Sequence, residues 1–175
     1  MEVFAIKIVE DYSGHKPIIN ARSAVTAVLA TVPNEYLFGL STVILCDAVG
    51  LNRAGRRKKT FHRGKKRNSK EAIGNYHPAW RGQKAHITLF VDNIVAQCPE
   101  AMKISVLRNV VFADVLFHEI GHHIHMTRTK EFREREDVAD DWIHRLSEGY
   151  LRRRKWYIRP LAKLYKLDEV LHMKL

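Results

Sequence analysis

The chain has 175 residues, 46% of them hydrophobic and 28% charged, enough to bury one core of ordinary domain size without disulfide or metal staples. Two widely spaced cysteines, Cys46 and Cys98, exclude a disulfide framework, and no apolar run approaches the roughly 20 residues that a membrane helix needs. With Met1-Glu2-Val3-Phe4 reading as no signal peptide, these features predict a single domain over 1–175, cytoplasmic, with reduced thiols and no membrane partner.

In chain order, patterning predicts a strand at 3–9, a helix at about 18–32 and a strand at 38–46. The net charge of +11 is unevenly placed: Arg53 to Lys70 holds ten lysines and arginines and no acid, so the remainder is close to neutral. The basic stretch at about 50–80 contains Gly, Asn and Ser without periodicity and predicts a loop between strands. Arg56, Arg57, Lys58, Lys59, Lys65, Lys66 and Arg67 are its candidate contacts for nucleic acid or an acidic protein partner, by an attraction that weakens with salt. A solvated loop without a partner fits the same composition. Tyr76-His77-Pro78 is either a cleft lining or a turn, and His86-Ile87-Thr88-Leu89-Phe90-Val91 predicts a strand.

A helix is expected at about 101–126, because Val106, Leu107, Val110, Val111, Val115, Leu116 and Phe117 form a wide apolar stripe. The stripe runs into His118-Glu119-Ile120-Gly121-His122. Positions four apart lie on one helix face, roughly 6 Å apart along the axis, so His118 and His122 can direct two imidazoles at one metal. Two neutral imidazoles suit Zn(II). Glu119 sits about 100° round from His118, within reach of a water on that metal, where a general base is needed. Two core histidines beside a surface glutamate are the bland alternative.

A catalytic zinc keeps three protein ligands and one open position. His125 is on the same face but roughly 10 Å along the axis from His118, and His123 points elsewhere. Arg128 stands where a metzincin has its third histidine, which excludes that arrangement. Phe132, Ala139, Trp142, Ile143 and Leu146 predict a second helix at about 132–148, ended by Gly149. On it, Glu136 can be the third ligand, with Glu134 a substitute. Asp140, one turn further, can accept the other ring N–H of a liganding histidine. Ala139 would let the two helices approach closely, although a solvated charged face accounts for the same acids. A basic C-terminal helix at about 150–175 follows. It carries Arg152, Arg153, Arg154, Lys155, Arg159, Lys163 and Lys166 beside Trp156, Ile158, Leu161, Leu164 and Leu167, an amphipathic pattern.

His118-Glu119-Ile120-Gly121-His122 followed by Glu136-x-x-Ala139-Asp140 resembles the gluzincin branch of the zincin metallopeptidases. It is most similar to the minigluzincins and to soluble peptidases that cleave phage or stress repressors. The likeness spans about residues 105–146. It implies a zincin-like α+β fold, with a small mixed sheet packed on the motif helix and helices following. It also implies one Zn(II) per chain on His118, His122 and Glu136, and Glu119 moving the proton from water to the leaving amine. A downstream His or Tyr stabilises the oxyanion in that family, making His144 the first candidate, with Tyr150 and Tyr157 behind it. The family also places a substrate-binding edge strand ahead of the motif helix, a role the resemblance gives to Ile87 and Leu89, and an ordinary core strand fits the same run.

Peptide deformylases share the histidine-glutamate core but need a cysteine ligand, and Cys98 in Gln97-Cys98-Pro99-Glu100 lacks that context. The expected activity is zinc-dependent hydrolysis of peptide bonds in a limited set of protein substrates. The alternatives are a nucleic-acid-associated regulator with a structural or sensory zinc, and a toxin-like or scaffold protein recruited through the basic loop.

Overall fold

The computed structural model describes residues 6–14, 17–48, 59–62, 65–68, 72–129, 135–152 and 154–167, with 59–62, 65–68 and 155 described by backbone alone. Strand β1 (Lys7–Asp11) leads to helix α1 (Ala21–Leu29), a single turn α2 (Asn34–Leu37) and strand β2 (Leu40–Cys46). Next come β3 (Lys59–His62), β4 (Lys65–Asn68), β5 (Gly74–His77) and β6 (Ala85–Phe90). Helix α3 (Val91–Gln97) and a 3₁₀ turn (Ala101–Lys103) precede the long α4 (Ser105–Arg128), followed by α5 (Glu136–Leu151) and α6 (Lys155–Leu164). The architecture is α+β, with a four-stranded mixed sheet.

Sheet order is β1-β2-β6-β5, with β1, β2 and β6 parallel and β5 antiparallel to β6. Side chains alternate across the pleat. Val43 and Leu45 of β2 and Ile87 and Leu89 of β6 are buried, whereas Thr42, Ile44, His86 and Thr88 between them are half-buried. The buried row belongs to the core that also holds α1 and α4. Asn20 starts α1 by accepting the Ser23 N–H on its side chain at 2.9 Å.

Helix α4 is the centre of the molecule. Every residue from Val110 to His125 is buried, so a sequence apolar well beyond one stripe finds neighbours on all sides. The fully buried Phe112, Leu116, Phe117, Ile120 and Ile124 each contribute about 1.5–3 kcal/mol by leaving water.

Several elements differ from expectation. The helix expected from 101 is split: a 3₁₀ turn occupies Ala101–Lys103, and Ile104, extended at φ −104° and ψ 115°, separates it from α4. The basic stretch is not an unstructured loop: β3 and β4 pair as an antiparallel hairpin within it, and β5 occupies its end. Arg56, Arg57, Lys58 and Glu134 lie outside the described residues. In α6 the buried positions are Ile158 and Ala162, one turn apart; Trp156 and Leu164, expected on the apolar face, fall on the opposite side and are 81% and 74% exposed. No helix among the described residues is long and apolar enough to cross a membrane.

Candidate metal centre

Because α4 is continuous through the motif, His118 and His122 stack one turn apart with their rings edge to face, and their Nε2 atoms stand 3.2 Å apart. Both are buried. Glu136, the first residue of α5, brings its carboxylate to 3.4 Å from Nε2 of His118 and 3.8 Å from Nε2 of His122. One donor atom from each of the three lies within 4.8 Å of the other two, so the group can hold a metal ion. Ligands of a tetrahedral ion at about 2.0–2.1 Å stand about 3.3 Å apart, which the observed spacings approach.

The electrostatics suit a cation. Burial, with His118 beside it, pushes the His122 pKa down to about 4, against the pull of Glu136 and Asp140. The ring is therefore neutral near pH 7 and offers a lone pair. Asp140 Oδ1 lies 3.2 Å from Nδ1 of His118. Negative charge that close favours the proton on Nδ1, which leaves the lone pair of His118 on Nε2, facing His122 and Glu136. Glu136 also occupies the first turn of its helix, where exposed backbone N–H groups favour negative charge.

The approach of α5 to α4 depends on two small residues. A Cβ on Gly121 would meet the Cα and carbonyl oxygen of Ala139 at 2.9 Å, so glycine and alanine let the backbones close at the motif. Ala139 was legible as a contact residue from its small size, and Gly121 is its partner.

Glu119 is 2% exposed. A Cβ on Gly74 of β5 would fall 2.6 Å from Glu119 Oε1, so the strand backbone runs directly beside the carboxylate. A glycine inside a strand marks such an approach, and Gly74 was the missed signal. His123 reinforces the same junction. Its Nε2–H donates to the Phe38 carbonyl at 3.0 Å, so the neutral ring accepts from the Tyr76 hydroxyl on Nδ1 at 3.1 Å. Burial holds its pKa below the usual histidine range. His123 thus ties α4 to β5 and to the turn before β2.

Other expected residues fall elsewhere. Ile87 and Leu89 are not on an edge strand: β6 is paired by β2 on one side and β5 on the other, and both side chains are buried beneath α4. The edge strand beside the motif is β5. His144 is half-buried on α5 about 12 Å along the axis from Glu136, and no hydrogen bond or ion pair joins it to the cluster among the described residues. Tyr150 packs edge-on to Phe117 under Arg154, and Tyr157 packs against Trp156. His125 is buried, with its Nδ1 3.5 Å from the Thr129 hydroxyl, and is not among the three residues of the metal-holding group. Cys98 is buried near Asp114 and is not part of the metal-holding group found among the described residues.

Compared with known proteins, the chain matches no family model, no curated protein and no solved structure.

Proposed function

We propose that the protein is a zinc-dependent metallopeptidase of the gluzincin type, hydrolysing peptide bonds in a limited set of protein substrates. The observation that carries this reading is the convergence of His118, His122 and Glu136 at 3.2–3.8 Å, with Glu119 buried on the same helix turn.

Zn(II) suits two imidazoles and a carboxylate, and when bound it supplies Lewis acidity that acidifies water and polarises a carbonyl. Glu119 accepts the proton of the attacking water and returns it to the leaving amine. Asp140 holds the His118 ring in the tautomer that presents Nε2. Among the described strands β5 pairs only with β6, so its outer edge can take an extended peptide by backbone hydrogen bonds, and Gly74 brings that edge beside Glu119. A structural zinc is the weaker reading. Such sites are closed by four protein ligands, and the group found among the described residues has three.

The test is zinc content by elemental analysis, with cleavage of a proteome-derived peptide library read by mass spectrometry. Wild type and Glu119→Gln should both carry zinc, His118→Ala and Glu136→Ala should lose it, and only wild type should cleave. An active Glu119→Gln protein, or zinc unaffected by Glu136→Ala, rejects the proposal.

A further inference from the structure

Between Arg53 and Lys70 the chain has ten basic residues and no acid, and the described part of that stretch is a ribbon. Strands β3 and β4 pair Lys59 with Asn68, Thr60 with Arg67, Phe61 with Lys66 and His62 with Lys65, in a sheet separate from the four-stranded one. Each pair contains one lysine or arginine. Successive pairs belong to opposite faces of a ribbon, so the register assigns two of these cations to each face.

The stems of this excursion are held at one place. Ala48 and Ala72 are buried against Phe90 in a small cluster of their own. Both carboxylate oxygens of Asp92 accept the Ala48 N–H at 3.0 Å, and the Asn93 side-chain amide donates to the Ala72 carbonyl at 2.7 Å. Two consecutive residues of the first turn of α3 therefore grip the outgoing and the returning chain.

We infer that the β3–β4 ribbon is an arm that seats in the major groove of duplex DNA. Four residues at 3.3–3.4 Å each make it roughly 13 Å long, and the major groove of B-DNA, about 12 Å wide, admits a two-stranded ribbon. A groove has phosphates along both walls, which suits cations on both faces; an acidic protein patch would engage one face. The A-form RNA major groove is too narrow for entry. A single-strand platform needs a row of stacking aromatics, and Phe61 is the lone Phe, Tyr or Trp from 53 to 70. The inference does not depend on the metal centre.

The experiment is fluorescence anisotropy of the full chain with a 20-base-pair DNA duplex as probe. Four phosphate contacts predict a loss on the order of 100-fold in affinity between 50 and 200 mM salt. Combined Lys65→Ala, Lys66→Ala and Arg67→Ala should flatten the slope of log affinity against log salt by about 3. Arg152→Ala, Arg159→Ala and Lys163→Ala together remove equal charge from the α5–α6 region and should leave that slope unchanged. Thr60→Pro, which keeps the charge but takes an N–H from the ribbon, should weaken binding while zinc content stays as in wild type. Absence of binding at 50 mM salt, an unchanged slope in the ribbon variant, or an unaffected Thr60→Pro protein overturns the inference. So does equal or better competition by polyglutamate, an RNA duplex or single-stranded DNA.

Discussion

Gly74 and Glu119 share a space that only a hydrogen atom at position 74 leaves open. A Cβ there would stand 2.6 Å from Glu119 Oε1 and 3.0 Å from its Cγ and Cδ. The nearest obstacle is the end of a flexible side chain, so Gly74→Ala should displace the Glu119 carboxylate rather than unfold the protein. The proposed peptide hydrolysis should then fall by about 100-fold, the scale of a 1 Å misplacement, with the proposed zinc retained. Unaltered cleavage would show that the position of Glu119 is immaterial.

In the proposed zinc site Asp140 would act on the metal through His118. With its carboxylate 3.2 Å from Nδ1, removal in Asp140→Ala should weaken zinc binding by about 10–100-fold, measured by competition with a chelator of known affinity. Asp140→Asn keeps an accepting oxygen and should lose less. Equal affinities in both variants and wild type would mean that the pair does not orient the ring.

Gly121 faces backbone rather than a movable side chain. A methyl group would press on the Ala139 Cα and carbonyl oxygen at 2.9 Å, so Gly121→Ala must force α4 and α5 apart. The expected cost is about 1–3 kcal/mol, measured by urea unfolding of metal-free protein. Zinc affinity should fall as well, since Glu136 and Asp140 retreat with α5. Stability and affinity matching wild type would contradict the close packing.

The two thiols should be inert in the folded protein. Burial, with Asp47, Asp92 and Asp11 nearby, pushes the Cys46 pKa up to about 12, and burial beside Asp114 raises that of Cys98. At pH 8 a thiol of pKa 12 is thiolate in about one molecule in 10⁴. A chromogenic disulfide reagent should therefore label neither cysteine before urea is added and both afterwards. Rapid labelling of the native protein would place a cysteine in a different environment.

How far the site was legible follows the range of each interaction. His118, Glu119 and His122 belong to one helix turn, where spacing alone sets direction. Glu136 and Asp140 were legible as one face of a second helix, but their arrival at His118 depends on Gly121 opposite Ala139. Ile87 and Leu89 read equally as edge or core strand, because an apolar run looks alike in both, and the pairing of β6 on both sides makes them core. The true edge, Gly74–His77, is four residues long and carries a glycine, too little periodicity to register. The β3–β4 hairpin was masked by a uniform run of basic residues without apolar alternation.

The sequence by itself determined the helix that carries the candidate metal ligands, the general order of strands and helices, and the concentration of positive charge in one segment. These depend on local helix geometry, hydrophobic period and composition. Tertiary structure decided which strand lies at the edge, which carboxylate reaches the histidines, and that the basic segment includes a ribbon gripped by Asp92 and Asn93. Each of those is a contact between parts distant in the chain. Their partners are chosen by close packing and by the need of every buried polar group for a mate, neither of which has a period to read.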